Sequence, residues 1–193
     1  MYFNLDIPVL FTIILLIYII VDFIRKGKKN IVKRLVFYSF IFYMLNVFQV
    51  TTGGLNIPPY IENGYREYWK SFFQLVPFRF VIEWIEHYHI RGLDWFFWNS
   101  VKLSFYNFIM LFPLGVYLHL LFEVKSWKRA LKHLFFTSLT IEVYQIIFSY
   151  TGLIMSRSFN VDDLILNTLG GMMGYFMYAI VKEKFLKRYA HFK

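Results

Sequence analysis

The segment RSFNVDDLILNTLGG, at positions 157–171, carries the residues of this chain best suited to chemistry. Arg157 can bind a carboxylate or a phosphate group through two parallel hydrogen bonds. Asp162 and Asp163 can accept hydrogen bonds from a ligand, and one of them can cap the helix that follows by accepting from its free N–H groups. Asn167 continues the polar character one turn further into an apolar stretch. Because capping explains only one of the two aspartates, the pattern predicts the rim of a polar pocket at the mouth of a helix.

A second set of polar residues lies on one face of the preceding apolar segment. At about 100° per residue, Ser138, Glu142, Gln145 and Ser149 fall within one narrow stripe of a helix. Lipid cannot hydrogen-bond such groups, so the stripe should face the interior of a helix bundle. An ionised glutamate at a helix centre costs roughly 2.5 to 3.5 kcal/mol on insertion scales. Glu142 is therefore predicted either to be a structural strut bonded to Asn107 and Gln145, or to act directly in binding or proton transfer.

The overall composition places these residues in a lipid bilayer. Of 193 residues, 58% are hydrophobic and only 17% are charged, whereas a soluble domain carries about a quarter charged residues. Five segments are apolar and long enough to cross a hydrocarbon core, which takes roughly 17 to 25 residues. They are residues 7–24, 35–52, 98–122, 134–151 and 163–181. The sequence thus predicts an all-α fold, a polytopic membrane helical bundle of about five transmembrane helices. Cysteine is absent, which excludes disulfides and thiol chemistry.

The basic residues determine the predicted orientation of this bundle. The net charge is +9, and 15 of the 21 basic residues lie between the first and second spans, between the third and fourth, or after the fifth. A chain that crosses five times puts these three places on one side, which the positive-inside rule makes cytoplasmic. The N-terminus is then outside and the C-terminus inside a bacterial cytoplasmic membrane. Charges that flank spans, instead of clustering on one face among aromatic residues, predict the lipid bilayer as a partner and no nucleic acid.

A long segment between the second and third spans, residues 53–97, is predicted to lie outside. Its part FFQLVPFRFVIEW, at 72–84, is interrupted by Pro77 and carries Arg79 and Glu83, so it is too polar for a sixth span. Tryptophan favours the membrane–water boundary, and the segment and its end carry Trp69, Trp84, Trp95 and Trp98. We therefore expect an interfacial or re-entrant segment against the outer leaflet.

Four motifs of the sequence resemble, in the same order, those of a known family. They are QLVPF (74–78), NFIMLFPLGVYL (107–118), IEVYQ (141–145) and RSFNVDDLILNTLGGMMGY (157–175). These look like the successive motifs of the VanZ-like membrane proteins, which usually have Asn or a similar residue where Gln74 stands. The founding member of that family is linked to low-level teicoplanin resistance. The resemblance therefore implies a role in the cell envelope, and it implies no particular reaction.

The resemblance also implies a division of the chain and a set of candidate residues. Residues 1–70 would form two N-terminal transmembrane helices and an external turn, residues 71–182 a VanZ-like domain with three transmembrane helices, and residues 183–193 a basic cytoplasmic tail. By motif position, the candidate ligand-binding residues are Asn107, Glu142, Gln145, Arg157, Asp162, Asp163 and Asn167, to which the external segment adds Arg79. The structural motif positions are Pro77, Phe78, Pro113, Gly115 and Gly170. Gly170 and Gly174 form a small-xxx-small pair, which favours close helix packing.

Two classes of function compete. A non-enzymatic protein would bind a glycopeptide, a peptidoglycan precursor or a lipid headgroup at the outer leaflet, and so influence susceptibility to teicoplanin and other lipoglycopeptides. An enzyme would use Glu142 and Asp163 for acid–base chemistry on an envelope lipid, and a small transporter is a weaker third alternative. The binding protein is favoured because the sequence shows no nucleophile–base pair, metal set, cofactor motif or phosphate loop.

The predicted orientation can be tested by cysteine labelling, since the chain has no cysteine of its own. The variants Lys29→Cys, Lys128→Cys and Lys187→Cys should resist a membrane-impermeant thiol reagent in intact cells, because all three positions lie on the predicted cytoplasmic side. Asn63→Cys should react readily. Labelling of Lys128→Cys without permeabilisation would contradict the five-span topology.

Overall fold

The computed structural model describes residues 3–5, 7–61 and 72–190, and these are mostly helical. The helices are α1 Ile7–Lys26, α2 Ile31–Thr52, α3 Arg79–Arg91, α4 Trp95–Met110, α5 Phe112–Leu120, α6 Trp127–Tyr150 and α7 Val161–Ala190. The short strands are β1 Phe3–Leu5, β2 Leu55–Ile57, β3 Phe73–Gln74 and β4 Phe159–Asn160. The labelling position Asn63 and the predicted interfacial residue Trp69 lie outside the described residues.

A helix coincides with each of the five predicted spans, and the third is divided at Leu111 between α4 and α5. Pro113 lies in the first turn of α5, where the missing N–H of proline costs no helical hydrogen bond. Among the described residues, three helical stretches are long and apolar enough to cross a membrane: Ile31–Thr52, Trp95–Leu120 and Val161–Lys184. A mostly helical chain with apolar spans is therefore confirmed, while the count of five spans remains a prediction.

The fold adds two features to the expected helices. Small antiparallel pairing joins β1 to β2, with Phe3 opposite Ile57, and β3 pairs with β4. The segment predicted to lie outside contains a regular helix, α3. This helix begins directly after Phe78, whose left-handed backbone (φ 62°) turns the chain, and ends at Gly92 (φ 72°). Glycine is the residue that most readily adopts such a positive φ at a helix end.

The chain divides into two compact units. The first unit comprises Met1–Phe73 and Val143–Phe159, and the second comprises Gln74–Glu142 and Asn160–Lys193. The second unit therefore contains α3, α4, α5, the beginning of α6, and α7, whereas the end of α6 belongs to the first unit.

In the first unit, the α1–α2 hairpin is fixed by a buried acid. Asp22 is 6% exposed, forms an ion pair with Arg34 at 2.6 Å, and accepts a hydrogen bond from the hydroxyl of Tyr38. The same guanidinium donates to the carbonyl oxygens of Gly27 and Lys29, at 2.9 and 3.1 Å. One planar guanidinium bonds both to the carboxyl group of Asp22 and to the carbonyl oxygens of the turn. It therefore holds the two helices together at their basic end.

In the second unit, glycines allow α7 to approach α4 and α5 closely. A Cβ added at Gly170 would overlap the carbonyl oxygen of Phe108, and one added at Gly174 would overlap that of Phe112. Gly115 lies equally close to the backbone of α7. Close approach of helix backbones requires small residues at the contact. The buried apolar side chains of this unit are Leu111, Leu114, Leu118, Ala130, Leu134, Ile141, Met172 and Tyr175.

The tight α4–α7 contact predicts different outcomes at neighbouring glycines. Gly170→Ala should destabilise the protein by about 1 to 3 kcal/mol, the usual range for overpacking, because its Cβ would meet the rigid backbone of Phe108. Gly171→Ala is the matched control, because its Cβ meets the movable side chain of Leu134, and it should cost less. Thermal unfolding of the purified protein in detergent measures both. A Gly170→Ala variant as stable as the parent would contradict this packing.

Candidate functional site

Asp162, in the first turn of α7, is buried and bonded to a different helix. Its side chain is 2% exposed and accepts hydrogen bonds from the backbone N–H of Phe78 and from that of Phe80, at 3.0 Å. The side-chain amide of Gln74 donates a third hydrogen bond, also at 3.0 Å. The first N–H groups of a helix have no partner inside the helix, so Asp162 caps the start of α3. We call Asp162 and its three donors the Asp162 clamp.

The segment QLVPF folds so that its donors converge on this carboxyl group. Gln74 donates to the carbonyl oxygen of Val76 at 2.9 Å and accepts from the N–H of Val76, which closes a tight turn before Pro77. Phe78 then takes its left-handed conformation. A residue other than glycine held in such a conformation costs on the order of 1 to 3 kcal/mol. The hydrogen bonds to Asp162 offset that cost.

The N-terminus of α7 is capped by Asn160, a residue that is not among the candidates predicted from the sequence. Its Oδ1 accepts from the N–H of Asp162 at 2.9 Å, and its Nδ2 donates to Oδ1 of Asp163 at 3.2 Å. Of the two aspartates expected to supply a cap, Asp162 does not cap its own helix, because Asn160 accepts from the start of α7 and the carboxyl group of Asp162 accepts from the start of α3. The signal was present in the sequence, since asparagine is a preferred N-cap residue.

Glu142 is bonded to the same asparagine. Its side chain is 2% exposed, and its Oε2 accepts from the backbone N–H of Asn160 at 2.9 Å. The predicted strut to Asn107 and Gln145 is corrected accordingly. Asn107 is half-buried on α4, and Gln145, in the first unit, donates to the carbonyl oxygen of Thr51 at 2.8 Å. A backbone N–H at the start of α7 is a suitable partner for a buried carboxyl group, because it would otherwise lack an acceptor.

Two further polar side chains are buried one turn away from these acids. Ser138 precedes Glu142 by one turn of α6 and is 0% exposed, and Asn167 follows Asp163 by one turn of α7 and is 1% exposed. Within the described residues, the Oγ of Ser138 and the Oδ1 of Asn167 have no hydrogen-bond partner. An unbonded polar group in an interior costs about 1 to 3 kcal/mol. The interior of the second unit therefore contains these polar oxygens in addition to the carboxyl oxygens that bond to its loops.

The two arginines of the predicted site lie at the surface. Arg79 forms an ion pair with Glu83 at 2.8 Å, with both side chains more than half exposed, and the hydrogen bond from Arg79 to Glu83 raises the pKa of Arg79. Exposed pairs of this kind contribute only about 0 to 1 kcal/mol. Arg157 is exposed in the first unit, where its backbone N–H donates to the Oγ of Ser149 at 3.0 Å. Among the described ion pairs, none involves its guanidinium.

A histidine–aspartate pair fastens the turn between α3 and α4. Nε2 of His87 lies 2.7 Å from Oδ1 of Asp94, and Asp94 also caps α4 by accepting from the N–H of Phe97 at 2.8 Å. The Phe97 N–H, aided by the His87 ring, holds the pKa of Asp94 below its ordinary value. The stabilisation from Asp94 is therefore present above its unfolded-state pKa and is lost as pH falls through the lowered value. No cluster of three metal-ligating side chains exists in the described part of the chain.

The structure thus gathers only part of the predicted site. Glu142, Asp162 and Asp163 come together in the second unit through hydrogen bonds that involve Asn160. Gln145 and Arg157 belong to the first unit. Gln74, noted in the sequence only as a departure from the family pattern, is one of the three donors to Asp162.

The clamp predicts that Asp162 is a strong determinant of stability. Asp162→Asn leaves one acceptor oxygen for three donors, and hydrogen bonds to charged groups contribute about 1.5 to 3 kcal/mol each, so we expect a loss of about 2 to 4 kcal/mol in the free energy of unfolding. Asp163→Asn is the control, since its remaining oxygen can still accept from Asn160, and its loss should be smaller. Equal thermal stability of the two variants in detergent would show that the clamp does not stabilise α3.

Comparisons with known proteins identify one family. The profile of the VanZ/LLP1 family matches residues 40–182, which is most of the chain. No curated protein and no solved structure matches the chain. The matched range includes the Asp162 clamp, Glu142 and the close α4–α7 contact. This chain belongs to the VanZ-like family.

Proposed function

We propose that this chain is a multi-pass protein of the bacterial cytoplasmic membrane that binds an envelope ligand at the outer leaflet without transforming it. The ligand is a glycopeptide, a peptidoglycan precursor or a lipid headgroup, and its binding influences susceptibility to teicoplanin and related lipoglycopeptides. Five spans, formed by α1, α2, α4 with α5, α6, and α7, put the N-terminus outside and the C-terminus inside. The apolar stretches of α2, α4 with α5, and α7 support this topology, as do the basic residues at the α1–α2 turn, around the start of α6 and near the end of α7.

The observation that supports the proposal is the choice of hydrogen-bond partners of the two buried acids, Asp162 and Glu142. Asp162 accepts from the backbone of α3, and Glu142 accepts from the backbone of Asn160. Both side chains are 2% exposed. A general acid or base must come within hydrogen-bonding distance of its substrate, whereas these carboxyl groups contact backbone N–H groups and hold two segments in place. Their position supports a scaffolding role below a binding surface.

That binding surface is centred on α3, which has three distinct faces. One face packs on α4, where Nε1 of Trp84 donates to the Oγ of Ser100 at 3.1 Å. A second face carries Arg79 and Glu83. The third face is apolar and exposed, and consists of Phe78, Val81, Ile82, Ile85 and Tyr88. None of the residues of α3 is buried. A helix with one exposed apolar face and one charged face favours the interface between lipid tails and headgroups.

The chemistry of α3 fits an amphiphilic ligand. Its apolar face can contact acyl chains, while Arg79 can bind a phosphate or carboxylate group at the level of the headgroups, in exchange for its weak surface pair with Glu83. Lipoglycopeptides and lipid-linked precursors combine an apolar tail with a polar head. The Asp162 clamp fixes the start of α3, so it sets the position of Arg79 relative to α7.

An intramembrane acid–base enzyme is the second candidate, and one observation favours it. Ser138 and Asn167 place polar oxygens in the interior next to Glu142 and Asp163 along their helices, and these oxygens have no partner among the described residues. Intramembrane polar groups of this kind are common in proton pathways. In this alternative, Glu142 would exchange a proton with an envelope lipid.

Substitution of Glu142 distinguishes the two candidates. Glu142→Gln keeps an oxygen that can accept from the N–H of Asn160 but cannot ionise. If Glu142 positions Asn160, Glu142→Gln should keep at least about half of the wild-type effect on teicoplanin susceptibility, whereas Glu142→Leu should lose it because the buried N–H is left unpaired. The assay compares cells that lack the protein with cells that express each variant at equal membrane abundance.

Two further readouts complete this experiment. The lipid and peptidoglycan-precursor profile of the deletion strain should be unchanged if the protein only binds. An accumulated substrate together with a missing product, or loss of the effect in Glu142→Gln at normal abundance, would overturn the binding proposal and favour the enzyme. Arg79→Gln should weaken the effect without lowering thermal stability, because its pair with Glu83 is exposed.

A further inference from the structure

A second polar site lies at the opposite end of α7 from the Asp162 clamp. The ring of His119, in the last turn of α5, lies 5.3 Å from the ring of Tyr175 and 5.2 Å from that of Tyr178. Its Nδ1 is buried and has no hydrogen-bond partner among the described residues. A buried imidazole nitrogen normally has a partner, so this ring retains hydrogen-bonding capacity that the described protein does not use.

A tight turn after α5 leads to a lysine whose charge acts on this ring. The N–H groups of Leu121 and Val124 donate to the carbonyl oxygens of Tyr117 and Leu118, each at 2.8 Å. Between them, Glu123 takes a left-handed conformation with φ 54°. These contacts close a turn at the end of α5, and Lys125 follows it directly.

A second lysine comes from α7. Tyr175, Tyr178 and Lys182 are three and seven residues apart, a spacing that puts them on one face of a helix. Both rings of that face contact His119. Lys182 therefore extends the same face by one further turn, and its side chain is exposed.

The electrostatics of this cluster are one-sided. Among the described residues, the charged groups that act on the His119 ring are Lys182 and Lys125, and both are cations. Two cations beside an imidazole attract an anion.

We propose that His119, Lys125 and Lys182 bind the phosphate group of an anionic phospholipid in the inner leaflet. The cluster lies where two apolar stretches end, at Leu120 and at Lys184, which is the level of the headgroups. Lysines contribute the positive charge, the imidazole supplies a hydrogen-bond donor, and the half-buried ring of Tyr178 contacts the glycerol region, since aromatic rings favour that boundary. The leaflet follows from the proposed topology, but the site is independent of the outer ligand.

Lipid binding by the full-length protein in mild detergent tests the site. Native mass spectrometry would count bound phosphatidylglycerol and phosphatidylcholine on the wild type and on a Lys125→Gln/Lys182→Gln variant. Removing two interfacial lysines should weaken phosphatidylglycerol binding by about tenfold or more, since each contributes on the order of fivefold near an anionic surface. The control is Lys128→Gln/Lys184→Gln, which removes equal charge from exposed positions outside the cluster and should change binding by less than about twofold.

A histidine variant separates binding from folding. His119→Phe keeps a ring between Tyr175 and Tyr178 but has no nitrogen, so it should weaken phosphatidylglycerol binding by several-fold while thermal stability is unchanged. Equal effects of the two double variants would overturn the proposal, as would wild-type binding by both His119→Phe and Lys125→Gln/Lys182→Gln. Displacement of the lipid by inorganic phosphate at equal molar concentration would assign the cluster to a free anion and overturn the lipid assignment.

Discussion

The buried carboxyl group of Asp162 and the free N–H groups at the start of α3 each require the other. A carboxylate that is 2% exposed loses its hydration, and without donors that loss costs several kcal/mol. The first N–H groups of α3 have no partner within the helix, and the N-cap side chain, that of Phe78, cannot accept a hydrogen bond. The hydrogen bonds between these groups join the segment QLVPF to the first turn of α7. The orientation of α3, and with it the exposure of its apolar and charged faces, depends on this contact.

Asn160 makes a similar set of hydrogen bonds between α6 and the start of α7. Its backbone N–H satisfies Glu142, its side-chain oxygen caps α7, and its side-chain amide donates to Asp163. Two buried acids in an apolar protein thus each accept hydrogen bonds from backbone N–H groups of another segment. This arrangement separates the residues that stabilise the fold from those that can meet a ligand. The side chains of α3 are accessible on the second unit, and the buried contacts set which of its faces are exposed.

Much of the helical organisation could be predicted, because hydropathy and helical periodicity are local properties of a sequence. Each of the five apolar segments is helical, and the interruption of the external segment at Pro77 was evident. The partners of the polar residues could not be predicted. Periodicity shows which helix face is polar, but not what that face meets: Asp162 accepts from an amide 88 residues earlier in the chain. From its position in the sequence, Asp162 could equally have bonded to a ligand, to its own helix or to another helix.

Two local signals could have improved the prediction. Arg79 and Glu83 are four residues apart, a spacing typical of paired charges on a helix, and they do lie on α3. Asn160 directly precedes α7, where a cap is expected. The separation of Gly170 from Gly174 indicated close packing but did not identify α4 and α5 as the partners, because many helices in a bundle could have accepted such a face.

Residue-resolved hydrogen exchange of the amides of Phe78 and Phe80 tests the central claim most directly. Both N–H groups donate to Asp162, so they should exchange slowly in the wild type. In Asp162→Asn they should exchange at least about tenfold faster, which corresponds to a loss of roughly 1.4 kcal/mol in protection, while amides in the middle of α7 stay protected. Unchanged protection of Phe78 and Phe80 in that variant would contradict the account, because α3 would then be held by something other than the carboxyl group of Asp162.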